Sequence, residues 1–228
     1  FSANVTLVTG ANTSLQFWGG ERSSNQLGAP QVYKLDTTPT TTVSTIGFSS
    51  DSGSSSTDFI TNVAVQTISG TLSANTVTGQ VVRVSLDNGL SWQTASNVVG
   101  QNSFSLSGVT LLGSSTLKVR VEDAAGNAGP VRSQAFVLDT ITPTAGALSL
   151  SGLVDSGAAG DGMTNDGTFD LSLAGNEAGS SVAYEASIDG SDFGSTTLAQ
   201  SSLADGSYQF RARVTDMAGN TATTNTVS

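Results

Sequence analysis

Three acidic patterns recur along this sequence, and they raise the first question of what chemistry it can perform. The stretch LDTTPT at residues 35–40 returns as LDTITPT at 138–144, which sets Asp36 and Asp139 in the same place 103 residues apart. Each is followed later by a second motif: EDAAGN at 122–127 carries Asp123 and Asn127, and TDMAGN at 215–220 carries Asp216 and Asn220. The third pattern opens on Asp-Ser-Gly. DSGSSSTDFITN at 51–62 holds Asp51, Asp58 and Asn62, and DSGAAGDGMTN at 155–165 holds Asp155, Asp161 and Asn165. Carboxylates crowded on short loops repel one another unless something neutralises them. A hard cation with oxygen ligands does so. Calcium suits flexible loops that offer carboxylate, amide and backbone oxygens together, and extracellular modules commonly bind it with dissociation constants of about 0.1–1 mM. Magnesium demands stricter octahedral geometry and is the poorer fit.

The candidate metal ligands are therefore Asp36, Asp51, Asp58, Asp123, Asn127, Asp139, Asp155, Asp161, Asp216 and Asn220, with Glu177 expected at the same pole as the last two. A second reading stands beside this one. Asp, Asn, Ser and Gly are also what tight turns require, because their side chains bond nearby backbone and tolerate unusual dihedrals. Neither the D-x-D-x-D-G spacing of an EF-hand nor a glycine-aspartate nonapeptide repeat occurs.

Other chemistries are excluded by composition. The 228 residues contain no histidine and no cysteine, so Ser-His-Asp and Cys-His catalysis, disulfides and thiolate metal sites are impossible. No G-x-S-x-G elbow is present. Paired carboxylates can cleave glycosides, but these acids recur from repeat to repeat instead of converging once, and the expectation is that the chain is not an enzyme. GAAGDG at 157–162 follows no strand-to-helix pattern, which argues against phosphate binding. With 8 basic against 18 acidic residues and a net charge of -10, nucleic acid is a poor partner. No apolar run approaches the ~20 residues a membrane helix needs, so no direct membrane insertion is expected. The chain opens on Phe1 within a strand-like segment, as a processed or excised piece would.

The elements that must position the acids read as strands. Apolar residues alternate with polar ones at Val82, Val84 and Leu86 and again at Leu117, Val119 and Val121, with Gly, Ser, Asn or Asp between the runs. No window has a helical stripe. VSLDNGLSW at 84–92 matches ASIDGSDF at 186–193, and LKVRVEDAAGN at 117–127 matches QFRARVTDMAGN at 209–220. About seven short strands per unit, with turns every 8–12 residues, is the mark of a two-sheet sandwich. The expected fold is all-β: tandem immunoglobulin-like β-sandwiches, each a seven-stranded Greek key with no disulfide. Residues 1–36 read as the closing part of a preceding repeat, 37–139 as a complete domain, and 140–228 as a domain with a shortened last strand. Lettering the strands A to G places 51–58 in the AB loop, Asp87 after strand C and 123–127 in the FG loop. Asn127 should then lie near Asp36, and Asn220 near Asp139. Trp92 and Phe193, at matching positions, read as core or rim aromatics.

The combination of LDTTPT, DSGxxxTDxITN, SLDNGxSW, RVEDAAGN and VLDT resembles the bacterial Ig-like repeats of giant, type I secreted biofilm adhesins, over nearly the whole chain. The resemblance implies an extracellular, cell-surface location. It also implies calcium held by linker, AB-loop and FG-loop acids, so that the chain is a stiffened spacer in a stalk serving cell attachment or biofilm formation. Its partners would be neighbouring Ig-like repeats of the same chain. In the opening fragment GGERSSN at 19–25 replaces EDAAGN, leaving Glu21 and Asn25 but no aspartate. Two alternatives remain: a subunit of a surface filament or S-layer completed by strand addition through homotypic contacts, and a module that binds glycan or a receptor through Trp18, Trp92 or exposed loops.

Overall fold

The computed structural model describes the backbone of residues 12–15 and 31–34, and in full residues 35–37 and 41–228. Most of the opening fragment, including Trp18, Glu21 and Asn25, lies outside the described residues. By contact density the chain divides into two compact units. One comprises Phe1–Ile46, Ser69–Leu106 and Leu117–Ser133; the other comprises Gly47–Ile68, Ser107–Thr116 and Gln134–Ser228.

All regular structure among the described residues is strand. β1 (Asn12–Leu15) and β2 (Gln31–Lys34) form an antiparallel pair. There follow β3 (Val43–Phe48), β4 (Ile60–Thr61), β5 (Val65–Leu72), β6 (Val81–Ser85), β7 (Gln93–Asn97), β8 (Ser103–Thr110), β9 (Ser115–Glu122) and β10 (Arg132–Leu138). Their hydrogen-bonded order is β3-β5-β8-β7-β6-β9-β10-β4. That is an A-B-E layer and a C′-C-F-G layer joined where β7 pairs with β8. The last repeat has seven strands: β11 (Ala147–Ser151), β12 (Phe169–Ala174), β13 (Ser181–Ser187), β14 (Gly194–Thr196), β15 (Ala199–Gln200), β16 (Gln209–Thr215) and β17 (Thr221–Thr223). Here the two layers are separate, β11-β12-β15 and β14-β13-β16-β17, as in an immunoglobulin-like sandwich.

The alternation read from sequence explains these layers. On β9, Leu117, Val119 and Val121 are fully buried while the residues between them are not, and on β6 Val82 and Val84 behave alike. β-branched residues suit a pleated surface with one buried face. In the last repeat Leu148, Phe169, Leu171, Phe210 and Ala212 form the core, with Phe169 and Phe210 edge to face at 5.5 Å.

One element departs from the seven-strand expectation. β4 is an added strand inside the AB stretch, pairing in parallel with the end of β10. It forms because Phe59, with φ +62°, turns the chain back, and the packing of Phe48 against Phe59 and Phe136 (5.0 and 5.6 Å) holds that turn against β10. Trp92 and Phe193 are half-buried rim residues. Each ring is covered by a guanidinium, Arg120 at 4.1 Å and Arg211 at 3.8 Å.

Candidate functional site

The D-x-x-G-N motif builds a closed loop from its own atoms. Between β9 and β10, Asp123 Oδ1 accepts the amides of Ala125 (2.9 Å) and Asn127 (2.8 Å), and Asp123 Oδ2 accepts Asn127 Nδ2 at 2.9 Å. Gly126 takes φ +87°, the left-handed turn that glycine makes at little cost. These bonds, the one from the Asn127 side chain foremost, hold the Asp123 carboxyl below the usual aspartate range. Thus fixed, Asn127 Nδ2 also donates to the backbone carbonyl of Asp36 at 2.9 Å. The loop between β16 and β17 is built the same way. Asp216 accepts Asn220 N and Asn220 Nδ2, both at 2.8 Å, and Asn220 Nδ2 donates to the carbonyl of Asp139 at 2.9 Å. The aspartate orients the asparagine, and the asparagine holds the linker.

Within the second compact unit the AB stretch of the middle repeat closes over the second of these loops. Ser52 Oγ donates to the carbonyl of Ala218 at 2.7 Å and accepts the amide of Asn62 at 2.8 Å. Asp139 N donates to Thr61 O at 3.0 Å, so the linker is held from both sides. Two glycines allow the approach. A Cβ on Gly53 would stand 2.0 Å from Met217 O, and one on Gly219 would stand 3.0 Å from Gly53 N. The consequence is visible in burial: Ala218 is 1% exposed and Asp216 6%, whereas the equivalent Ala125 is exposed. Loop, linker and loop form one hydrogen-bonded seam.

The remaining candidate ligands are used locally. Asp58, Asp139 and Asp161 each spend Oδ1 on the amide two residues on, those of Ile60, Ile141 and Met163, which is the Asx-turn role. Asp155 Oδ2 accepts Gly160 N at 2.6 Å. Glu177 is exposed in the turn between β12 and β13, where its amide donates to Thr144 O at 2.9 Å. Asp51 differs. Its Oδ2 accepts Phe59 N at 2.9 Å, while its Oδ1 is buried with no hydrogen-bond partner. Calcium takes 6–8 oxygens, and among the described residues no three acidic side chains gather closely enough to hold an ion. Asp51 Oδ1 is the one buried side-chain acceptor left over among the described residues.

Sequence reasoning missed Ser52, Gly53, Ala218 and Gly219 as working residues. The signal was present, since Asp-Ser-Gly occurs at the start of both AB stretches, but its weight was put on the acid instead of the serine and glycine beside it.

A solved structure titled "Biofilm associated protein - BSP domain" is similar at 14% identity over 74% of this chain, with a TM-score of 0.28; this chain spans 28% of that one. A search of curated proteins returns no match. The model of the bacterial Ig-like domain matches twice, at residues 37–140 and 142–228. With most of its length matched in two consecutive copies, the chain belongs to the bacterial Ig-like domain family.

Proposed function

We propose that this chain is a non-enzymatic spacer segment of a bacterial surface adhesin, in which each repeat grips the next through the loop-linker-loop seam. The observation that carries this reading is the convergence of Ser52, Asp139 and Asn220 on one set of backbone bonds. A linker held from both sides resists bending, and resistance to bending is what a spacer supplies between a cell and a distant surface. Direct bonds of this kind contribute about 0.5–1.5 kcal/mol each, so three or four of them outweigh thermal energy at a hinge. Calcium enters the proposal at one place only. Asp51 Oδ1 is the acceptor that a cation would recruit, with further oxygens moving in around it, and no other part of the seam depends on it.

The glycan-binding alternative is weakened by the guanidinium of Arg120 that lies over Trp92. The experiment that tests the spacer reading uses the absence of cysteine from the chain. Spin labels on cysteines introduced at Leu112 and Ile188, which are 96% and 69% exposed, should give one narrow distance distribution. Gly53→Val should broaden it. An equally narrow distribution in the variant, or a broad one in the unaltered seam, would overturn the proposal.

A further inference from the structure

Basic residues are scarce in this chain, 8 in 228, and they are not scattered. Among the fully described residues every one lies on the C-F-G layer of a repeat: Arg83 on β6, Lys118 and Arg120 on β9, Arg132 on β10, and Arg211 and Arg213 on β16. The F strands repeat one pattern. Lys118 and Arg120 alternate with the buried Leu117, Val119 and Val121, and Arg211 and Arg213 with the buried Phe210, Ala212 and Val214, so each pair points away from its core. The match of LKVRVEDAAGN with QFRARVTDMAGN sets the two pairs at equivalent positions.

Internal partners satisfy only part of this charge. Arg83 and Arg120 stand directly opposite each other across β6 and β9, a like-charge pairing that is unfavourable by itself. Glu122 relieves it by accepting Arg83 Nε and Arg120 Nη2 at 2.8 Å each, but one carboxylate then serves two guanidiniums. Lys118 has no carboxylate partner among the described residues. Its Cδ lies 3.5 Å from where a Cβ on Gly89 would stand, and Trp92 Cζ2 lies 3.7 Å from the same point. In the last repeat Arg211 pairs with Glu185 at 2.6 Å and covers the ring of Phe193. Arg213 is exposed, faces Ala183 across the sheet and has no carboxylate partner among the described residues. The chain carries a net charge of -10, yet two cations stand on this face with no acid beside them. Cations so placed attract an anion from outside the chain.

The face also limits what that anion can be. It is a sheet surface, and its cations follow one strand at intervals of about 7 Å. A guanidinium meets a carboxylate in a planar two-point contact. A thin chain carrying one carboxylate per sugar suits such a row. A second copy, itself at -10, would bring its own acidic loops against those of the first, and a nucleic-acid duplex carries a charge every ~1.7 Å of its axis.

We propose that the outer face of the C-F-G layer binds an acidic polysaccharide, its uronate carboxylates held by Lys118 and Arg120 in the middle repeat and by Arg211 and Arg213 in the last. The guanidinium that withholds the Trp92 ring from neutral sugars is the group an acidic sugar meets. The site is independent of the seam and adds a ligand to the spacer.

Titration calorimetry of the full chain with polygalacturonate, and with dextran as the neutral control, is the test. Polygalacturonate should bind and dextran should not, and the affinity should drop about tenfold or more between about 50 and 200 mM salt. Lys118→Gln combined with Arg213→Gln leaves all three ion pairs and both ring contacts in place. That variant should keep the Tm of the unaltered chain and lose about tenfold or more in affinity, and Lys118→Arg with Arg213→Lys should restore it. No heat with polygalacturonate at low salt, an equal affinity for dextran, or undiminished binding by the Gln variant overturns the proposal. Tighter binding of duplex DNA than of polygalacturonate would also overturn it, giving the face to nucleic acid. Each of these results leaves the label distances at Leu112 and Ile188 unchanged, so failure here is distinct from failure of the seam.

Discussion

Asn220→Ala is the sharpest probe of the seam, because one nitrogen makes both bonds that matter. Its Nδ2 donates to the Asp216 carboxylate at 2.8 Å and to the Asp139 carbonyl at 2.9 Å. A hydrogen bond to a charged group is worth about 1.5–3 kcal/mol and a neutral one about 0.5–1.5 kcal/mol. Asp216 is only 6% exposed, so water replaces the lost donor poorly and the full loss of about 2–4 kcal/mol is expected in the unfolding of the last repeat. Asn127→Ala removes the same two bonds at the equivalent loop. There Ala125 is exposed and Asp123 only half-buried, so water substitutes readily and the cost should be clearly smaller. The comparison cancels loop chemistry and leaves burial by the AB stretch as the variable. Urea denaturation followed by intrinsic fluorescence and by amide exchange at 216–220 reads both variants on one chain. If Asn127→Ala costs as much as Asn220→Ala, or if neither costs more than about 0.5 kcal/mol, the seam is not the source of the stability assigned to it.

Two further outcomes are expected. Stability should be flat between about pH 5 and 8, where histidine would titrate but the chain has none. It should fall on further acidification. The carboxyls of Asp87, Asp189, Asp123 and Glu122 are all held below their ordinary values, chiefly by Ser85, by the Asp192 amide, by Asn127 and by Arg83 respectively. A lowered folded-state value contributes stability that is present above the unfolded value, 3.8 for Asp and 4.5 for Glu, and is lost as pH drops through the folded one. Ser85→Ala should flatten that acid limb, and an unchanged limb would discard this account. For the proposed cation at Asp51, calcium titration followed by calorimetry should raise Tm in the unaltered chain and leave Asp51→Asn unmoved; a rise of equal size in both would place any calcium elsewhere.

The sandwich was legible from residues because its cause is local. A period of two in Val82 and Val84, or in Leu117, Val119 and Val121, is enough to dictate one buried face, and an Asp-Gly or Asp-Asn-Gly step is enough to end a strand. Self-similarity also led correctly to Asn127 beside Asp36 and Asn220 beside Asp139, since an FG loop and an incoming linker must share a pole in any such fold. The turn-forming role of aspartate, weighed at the outset beside metal binding, is seen at Asp58, Asp123, Asp139, Asp161 and Asp216 in bonds to residues two to four positions away.

What the sequence by itself determined, then, was the alternation, the repeats and the self-contained loops. Tertiary structure alone decided the contact of Ser52 with Ala218, which are 166 residues apart, the addition of β4 to β10, and the burial of Asp51 Oδ1 without a partner. The reason is physical. A turn's hydrogen bonds are chosen by neighbours along the chain, whereas the atom that meets a serine hydroxyl across a seam is chosen by how two folded loops come together. Gly53 illustrates the difference. In sequence it is one small residue in a polar turn, and only the 2.0 Å that a side chain would leave to Met217 O shows why nothing larger can stand there.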